Sequence, residues 1–240
     1  TGRRADGYHL LDGVMQPIAL HDTLTITPGD TLSLSVEGAA LSDGEDNLVL
    51  RSARALQAYT GTQKGAALHL VKRIPMGAGL GGGSADAAAV LKGLNAFWQL
   101  SLPMETLLNI GVKLGADIPF CLKDAPMRAQ GIGEILTPHP CRRTLPLVII
   151  QPCRGLSTGQ VFSALHQLPP DKICHPDTEN VLAALQDGNL HLLSRPLGNT
   201  LQPVSEQMRP AIRECISLLR GHSARAAQMT GSGSAVYGVF

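Results

Sequence analysis

Residues 75–90 read PMGAGLGGGSADAAAV, with glycine at 77, 79, 81, 82 and 83 and then a run that opens on serine and passes into alanine. Upstream, GAALHLVKRIP (65–75) alternates Ala67, His69, Val71 and Arg73 with Leu68, Leu70 and Lys72, the period of a strand, which Pro75 ends. Downstream of Ser84, the residues Val90, Leu91, Leu94, Phe97 and Trp98 mark one helical stripe. The glycines therefore join a strand to the N-terminus of a helix. A loop without side chains at that place turns backbone N–H groups and the positive end of the helix dipole toward one open space, which is an anion cradle. Glycine serves it twice, since a Cβ keeps phosphate oxygens off the backbone and several such positions need positive φ. One or two glycines would mean only a tight turn or close packing. Five, backed by small residues, argue for a bound anion.

Two familiar patterns fail here. The P-loop spacing is met by Gly77 and Gly82, but Gly83 stands where the lysine belongs. Gly77, Gly79 and Gly82 satisfy the dinucleotide pattern literally, yet the chain then reads AFWQLSLPMETLL, a helix followed by a helix, where a second strand should present an acidic residue to a ribose. A nicotinamide enzyme becomes a distant second class.

Composition narrows the partner. Twenty Lys and Arg against 19 Asp and Glu give a net charge of +1, with no broad basic footprint for nucleic acid. A small molecule is the better default. No apolar run approaches the roughly 20 residues of a membrane span. The five cysteines (121, 141, 153, 174, 215) form no CxxC pair, and the histidines share no ligand spacing, so neither zinc nor a disulfide framework is indicated. Reduced thiols in a cytoplasm-like compartment are expected, a bacterial cytoplasm before a plastid stroma.

TLTITPGDTLSLSVEG predicts a β-hairpin over 23–36. Asp46 or Asn47 caps a helix carrying Val49, Ala53 and Leu56 on one face, and PMETLLNIGVKLG predicts another through Leu107, Leu108, Gly111 and Leu114. Pro119 is expected to hold Ile118 extended and so to fix Asp117 in a turn. The Pro-rich stretch after Thr137 puts a domain boundary near 142, dividing the chain into 1–142 and 143–240, with Arg142 and Arg143 solvating the junction. Helices are predicted around 159–166, 178–186 and 209–220, and two strands bracket GSGS (231–234).

PMGAGLGGGSADAAAVLKGLN resembles the second motif of the GHMP kinase superfamily, the glycine loop that wraps ATP phosphates. GRRADGYHLL (2–11), EDNLVLRSA, LGADIPF, GIGEIL (131–136) and MTGSGSAVYG (229–238) resemble further family segments, in family order along the whole chain. The resemblance implies an α+β GHMP kinase fold: an ATP-binding N-terminal domain like the second domain of ribosomal protein S5, and a ferredoxin-like C-terminal domain. It also implies a lysine-bearing strand upstream of Thr1 and a closing strand and helix beyond Phe240, so the sequence is expected to be clipped at both ends.

For the chemistry it implies Asp117 as the base that takes a hydroxyl proton, where the bland reading is an ordinary turn or cap aspartate. Asn47, Lys72 and the run Pro75, Met76, Gly77, Ala78, Gly79, Leu80, Gly81, Gly82, Gly83 and Ser84 would hold ATP, with Ser84 also the candidate Mg²⁺ contact. Asn47 reads equally as a helix cap, Ser84 as a cap of its own helix, and Lys72 as a solvated strand lysine. Asp86 favours the helix dipole more readily than it assists a metal through water. On the acceptor side the resemblance implies a small molecule built as cytidine diphosphate linked to methylerythritol: Tyr8 and Phe162 would sandwich the cytosine and His9 bond its edge. Thr158, with Gly159 beside it, would line the gap between domains, and Gly231 and Gly233 would approach the acceptor's diphosphate. Without the resemblance, Phe162 reads as a core helix residue and Tyr8 as a turn aromatic. The expected activity is ATP-dependent phosphorylation of that acceptor. Another GHMP kinase acting on a sugar, homoserine or mevalonate, and a nucleotide-binding module without catalysis, are the rivals.

Overall fold

The computed structural model describes residues 2–3, 9–141 and 143–240. In the first half these form β1 (Gly2–Arg3), β2 (His9–Met15), β3 (Thr23–Thr27), β4 (Leu32–Glu37), α1 (Leu48–Thr60), β5 (Ala66–Val71), α2 (Gly82–Phe97), α3 (Met104–Leu114), α4 (Ile118–Lys123), β6 (Met127–Gly131) and β7 (Ile135–Pro138). The second half adds β8 (Leu147–Ile150), α5 (Thr158–Leu165), α6 (Thr178–Asp187), α7 (Gln202–Met208), α8 (Ala211–Gly221), β9 (Ala226–Met229) and β10 (Val236–Val239), with 3₁₀ turns at Pro170–Lys172 and Leu190–Ser194.

The alternation in three short segments builds one sheet, but not the expected hairpin. β5 lies between β3 and β4, antiparallel to the first and parallel to the second. The 28–31 turn admits β5 because both sides lack side chains there: a Cβ on Gly65 would sit 2.4 Å from the Gly29 carbonyl oxygen, and one on Gly29 would sit 3.1 Å from the Ala67 nitrogen. Ala66, Leu68 and Leu70 on the buried face of β5 meet the stripes of α1 and α2, where Val49, Ala53, Leu56, Val90, Leu91 and Leu94 are all at most 1 % exposed. Trp98 closes this core at 2 % exposure and donates its indole N–H to the Gly65 carbonyl at 3.0 Å. Phe97, expected on the same stripe, is instead 39 % exposed, since the adjacent Trp98 takes the inward position at the helix end.

The remaining first-half strands form a sheet in the order β1-β2-β6-β7. Pro119 does not hold Ile118 extended: Ile118 begins α4, and Pro119 sits in the first turn, where a missing N–H costs no helical bond.

The second half has its own antiparallel sheet, β8-β10-β9. Ile150, Ala227, Met229 and Val236 pack against Ile212, Cys215, Ile216 and Leu219 of α8. The helix expected at 209–220 is α8, and α7 precedes it as a separate helix; Pro210, with no N–H to extend α7, becomes the N-cap of α8. The opposite face of this sheet, with Ile149, Gln228 and Tyr237, looks into a cleft shared with the first half.

Candidate active site

α2 starts from Gly81, an N-cap with no side chain, at φ +68°, and the loop before it holds Gly77 and Gly79 at φ +61° and +76°. Ala85 N–H is the first in the helix to find an acceptor, the Gly81 carbonyl at 2.9 Å, so the amides of Gly82, Gly83 and Ser84 stay available to a ligand. Ser84 is the third residue of the helix and caps nothing; its hydroxyl has no partner among the described residues. The glycines divide by purpose. At Gly79 a Cβ would lie 2.4 Å from the Thr230 carbonyl oxygen and at Gly82 2.9 Å from Ile74 Cγ2, so these two serve close packing. At Gly81 and Gly83 it would meet nothing within 4 Å, and these two leave open space at the helix N-terminus.

The loop after β9 clasps the glycine loop from the other half. Ala235 N–H donates to the Ala78 carbonyl, Thr230 Oγ1 to the Gly79 carbonyl and Gln151 Nε2 to the Met76 carbonyl, each at 3.0 Å. Asn199 Nδ2 donates to the carbonyls of Met229 and Gly231 at 3.0 and 2.8 Å and so steadies the clasp. Pro75, Met76, Gly77, Ala78, Gly82, Gly83 and Ser84 lie outside the cleft lining, whereas Gly79, Leu80, Gly81 and Gly231 belong to it. Gly233 does not face the cleft as expected: a Cβ there would meet Met229 Sδ at 2.7 Å, which makes it a packing glycine. Thr158 also turns away, its hydroxyl hydrogen-bonded to Ser232 Oγ at 2.9 Å.

Asp117 stands at the N-cap of α4 but makes no side-chain bond to its own helix. Its carboxyl opens into the same cleft as Gly79 and Gly81, and burial alone pushes its pKa up from the usual carboxylate range. The bland role for this aspartate, capping, is therefore not the one it plays. Beside it on α4, burial, with lesser help from the fields of Asp117 and Asp124, drives the Cys121 thiol up to about 12, so the sulfur stays protonated.

Two expectations need correction. Lys72 is neither solvated nor turned to the cleft: its ammonium is buried between the carboxylates of Asp22 and Asp86, at 2.7 Å from the latter. The reason is its phase, since Lys72 continues the inward series Ala66, Leu68, Leu70. Asp86 accordingly is no exposed dipole partner but a buried one, and desolvation, opposed by Lys72, raises it to about 6. Asn47 is the cap of α1, as its cap reading expects, its Oδ1 accepting from Val49 N–H at 2.9 Å and its Nδ2 donating to the Ser42 carbonyl at 2.6 Å.

The cleft has a volume of about 910 Å³. Phe162 lines it from α5, above the buried Val161 and Leu165. Tyr8 lies outside the described residues, as does the side chain of His9, which begins β2. Sequence reasoning missed a charged bridge across one wall. Arg128 on β6 donates to both oxygens of Asp12 on β2, at 2.8 and 2.9 Å, and to Glu179 at the start of α6, at 2.6 Å. The Arg128 guanidinium lowers the Asp12 pKa, and Thr178 Oγ1 adds a 3.2 Å bond to the Asp12 carbonyl. The only signal for it was Asp12 among the apolar residues of β2, and strand pairing over more than a hundred residues hides its partner.

A bare helix N-terminus and a carboxyl group in one cleft between two α+β halves define a phosphoryl-transfer kinase built without a P-loop, and the chain belongs to the GHMP kinase family. The model for the GHMP kinases N terminal domain matches residues 47–124 and that for GHMP kinases C terminal matches 162–240. The chain is similar to 4-diphosphocytidyl-2-C-methyl-D-erythritol kinase of Alkaliphilus metalliredigens, at 38 % identity over all of this chain and 82 % of that protein. It is 40 % identical to the enzyme of the same name from Paramagnetospirillum magneticum, over all of this chain and 84 % of that one. A crystal structure of 4-(cytidine 5'-diphospho)-2C-methyl-D-erythritol kinase superposes with a TM-score of 0.80 at 34 % identity, covering 99 % of this chain and 83 % of the other. Homoserine kinase from Cytophaga hutchinsonii shares the fold at a TM-score of 0.74 and 18 % identity, over 96 % and 79 % of the two chains.

Proposed function

We propose that the protein transfers the γ-phosphoryl group of ATP to the 2-hydroxyl of 4-diphosphocytidyl-2-C-methyl-D-erythritol, in the non-mevalonate route to isoprenoid precursors, and that it works in a bacterial cytoplasm. The observation that carries this reading is the placement of Asp117, whose carboxyl has no hydrogen-bond partner among the described residues, in the cleft that Gly81 at the open helix N-terminus also lines. The relatives' names supply the acceptor.

Phosphoryl transfer asks a protein for alignment, charge neutralisation and a proton acceptor. The amides of Gly82, Gly83 and Ser84 would hold phosphate oxygens at the positive end of α2, and Gly81 and Gly83 leave the approach clear. Asp117 takes the proton of the acceptor hydroxyl as that oxygen bonds to the γ-phosphorus and the bond from γ-phosphorus to the bridging oxygen breaks, releasing ADP. Among the described residues no group of three His, Cys, Asp or Glu could chelate a metal. Mg²⁺ would accordingly be held chiefly by phosphate oxygens, with the free hydroxyl of Ser84 as the protein's contact; it would neutralise charge on those oxygens. Phe162 would pack against the cytosine, with Tyr8 opposite and His9 at its edge, and Gly231 would border the acceptor diphosphate. Residues 1–142 would form the ATP-binding domain and 143–240 its partner. No helix among the described residues is long and apolar enough to cross a membrane.

The test is ADP release from ATP and Mg²⁺ with and without the cytidine-linked acceptor. Acceptor-dependent release supports the assignment. Binding of ATP with no release in its presence rejects it.

A further inference from the structure

One buried ammonium ties together the two ends of the glycine loop. Lys72 lies just past the end of β5, and its side chain is 4 % exposed between Asp22 and Asp86, whose side chains are 4 % and 6 % exposed. Asp22 also accepts from the backbone N–H groups of Arg73 at 2.5 Å and Ile74 at 2.8 Å, which fixes the two residues before Pro75. Asp86 is the fifth residue of α2, so its bond to Lys72 fixes the helix on the far side of the loop. Between these anchors Gly82 packs directly on the pin: the place of its missing Cβ is 2.9 Å from Ile74 Cγ2 and 3.4 Å from Lys72 Nζ.

Charge explains why this pin is ionic. Apolar residues would hold a strand end to a helix at lower desolvation cost. A carboxylate at Asp86, however, stands within two turns of a helix N-terminus whose positive end must receive an anion, and it would oppose that anion if left uncompensated. Lys72 cancels this field from inside the protein, while Asp22, held by two amides as well as by Lys72, keeps its own charge. A loop with five glycines is otherwise free to wander, and each end held in advance lowers the ordering cost that a ligand must meet.

We propose that Lys72, Asp22 and Asp86 are positioning residues for the nucleotide: the buried ammonium sets strand end against helix start and offsets Asp86, so that the loop is preformed for a triphosphate that none of the three touches. This rests on the kinase reading above. The test measures a non-hydrolysable ATP analogue and CDP as separate ligands by titration calorimetry, well below each variant's melting temperature. Lys72→Met is expected to weaken the ATP analogue at least ten-fold and CDP less than two-fold. Asp86→Ala weakens the analogue at least five-fold, and Asp86→Asn, which keeps an oxygen for Lys72 to donate to, recovers most of that loss. A folded Lys72→Met protein with unchanged analogue affinity overturns the proposal, and so does equal loss of both ligands. If Lys72→Met does not fold, the Asp86 pair decides: identical affinities for Ala and Asn reject the role. A wild type that binds no ATP analogue overturns the nucleotide reading and this inference together. A wild type that binds the analogue but fails to phosphorylate the cytidine-linked acceptor rejects only the acceptor, and the binding comparison still decides the pin.

Discussion

Among the described residues, two carboxyl groups are pushed upward, for different ends. Asp117 is raised by the desolvating walls of the cleft, with no cation or amide drawing it back. Asp86 is raised to about 6 by burial, with Lys72 pulling down and Asp22 pushing up. In both, the folded protein holds the proton more tightly than the unfolded chain, whose value is near 3.8. Their contribution to stability is therefore whole at acid pH and is lost as pH climbs through the folded value. At neutral pH each ionised carboxylate is a liability. Asp117→Asn should accordingly melt higher than wild type at neutral pH while its turnover falls by about 10²–10⁴ and its affinity for an ATP analogue changes less than about two-fold. Calorimetric melting and initial rates on one preparation check this, and near-normal turnover would remove Asp117 from the base role. For Asp86→Asn the melting advantage should be present at about pH 7.5, shrink through the window between 3.8 and about 6, and vanish below it. An advantage independent of pH would mean that the gain is packing and not charge.

At the level of elements, the glycine loop separates structural need from ligand need within one motif. Gly83 is helical and faces open space, so alanine there can be accepted by the free protein and should stabilise α2 by a few tenths to about 1 kcal/mol. The same methyl stands over the amides at the helix start and should weaken an ATP analogue at least about ten-fold. Denaturant unfolding and calorimetry together test it; a stabilised Gly83→Ala that binds as well as wild type would place the phosphates elsewhere. The strand, loop and helix around this motif were legible from local periodicity, as were the cap and face of α1 and the helix α3 with Leu107 and Gly111 on its buried face. What was misread locally was phase. Lys72 keeps step with Leu68 and Leu70 on the strand, and Asp86 keeps step with Val90, Leu94 and Trp98 on the helix, so opposite charges at two inward positions already announced a buried pair. Other features were not local at all. Two alternating segments around Pro28–Gly29 look like a hairpin until β5, thirty or more residues later, enters between them. The Asp12–Arg128–Glu179 bridge joins residues that only the paired β2 and β6 bring together.

For the whole molecule, the site exists only because two halves meet. The glycine loop and the Asp117 carboxyl come from the first half, while the clasp at Thr230–Ala235 and Phe162 come from the second, and the cleft runs between them. A ligand seated there binds the assembled cleft and not the unfolded chain, so it must raise the melting temperature by mass action. At about 100 times its dissociation constant a ligand contributes about 2.7 kcal/mol. For a chain of 240 residues, at roughly 2–4 °C for each kcal/mol, that is a rise of about 5–10 °C. An ATP analogue should give this shift in any member of the family, so it does not identify the acceptor. CDP does: the nucleotide part of the acceptor should shift the melting temperature by itself, the shift should add to that of the ATP analogue because the two occupy different ends of the cleft, and Phe162→Leu should diminish the CDP shift alone. Homoserine and mevalonate should produce no shift under the same conditions. Protection by either of them, with none from CDP, would keep the kinase chemistry at Asp117 and the glycine loop but assign the acceptor end of the cleft to another small alcohol.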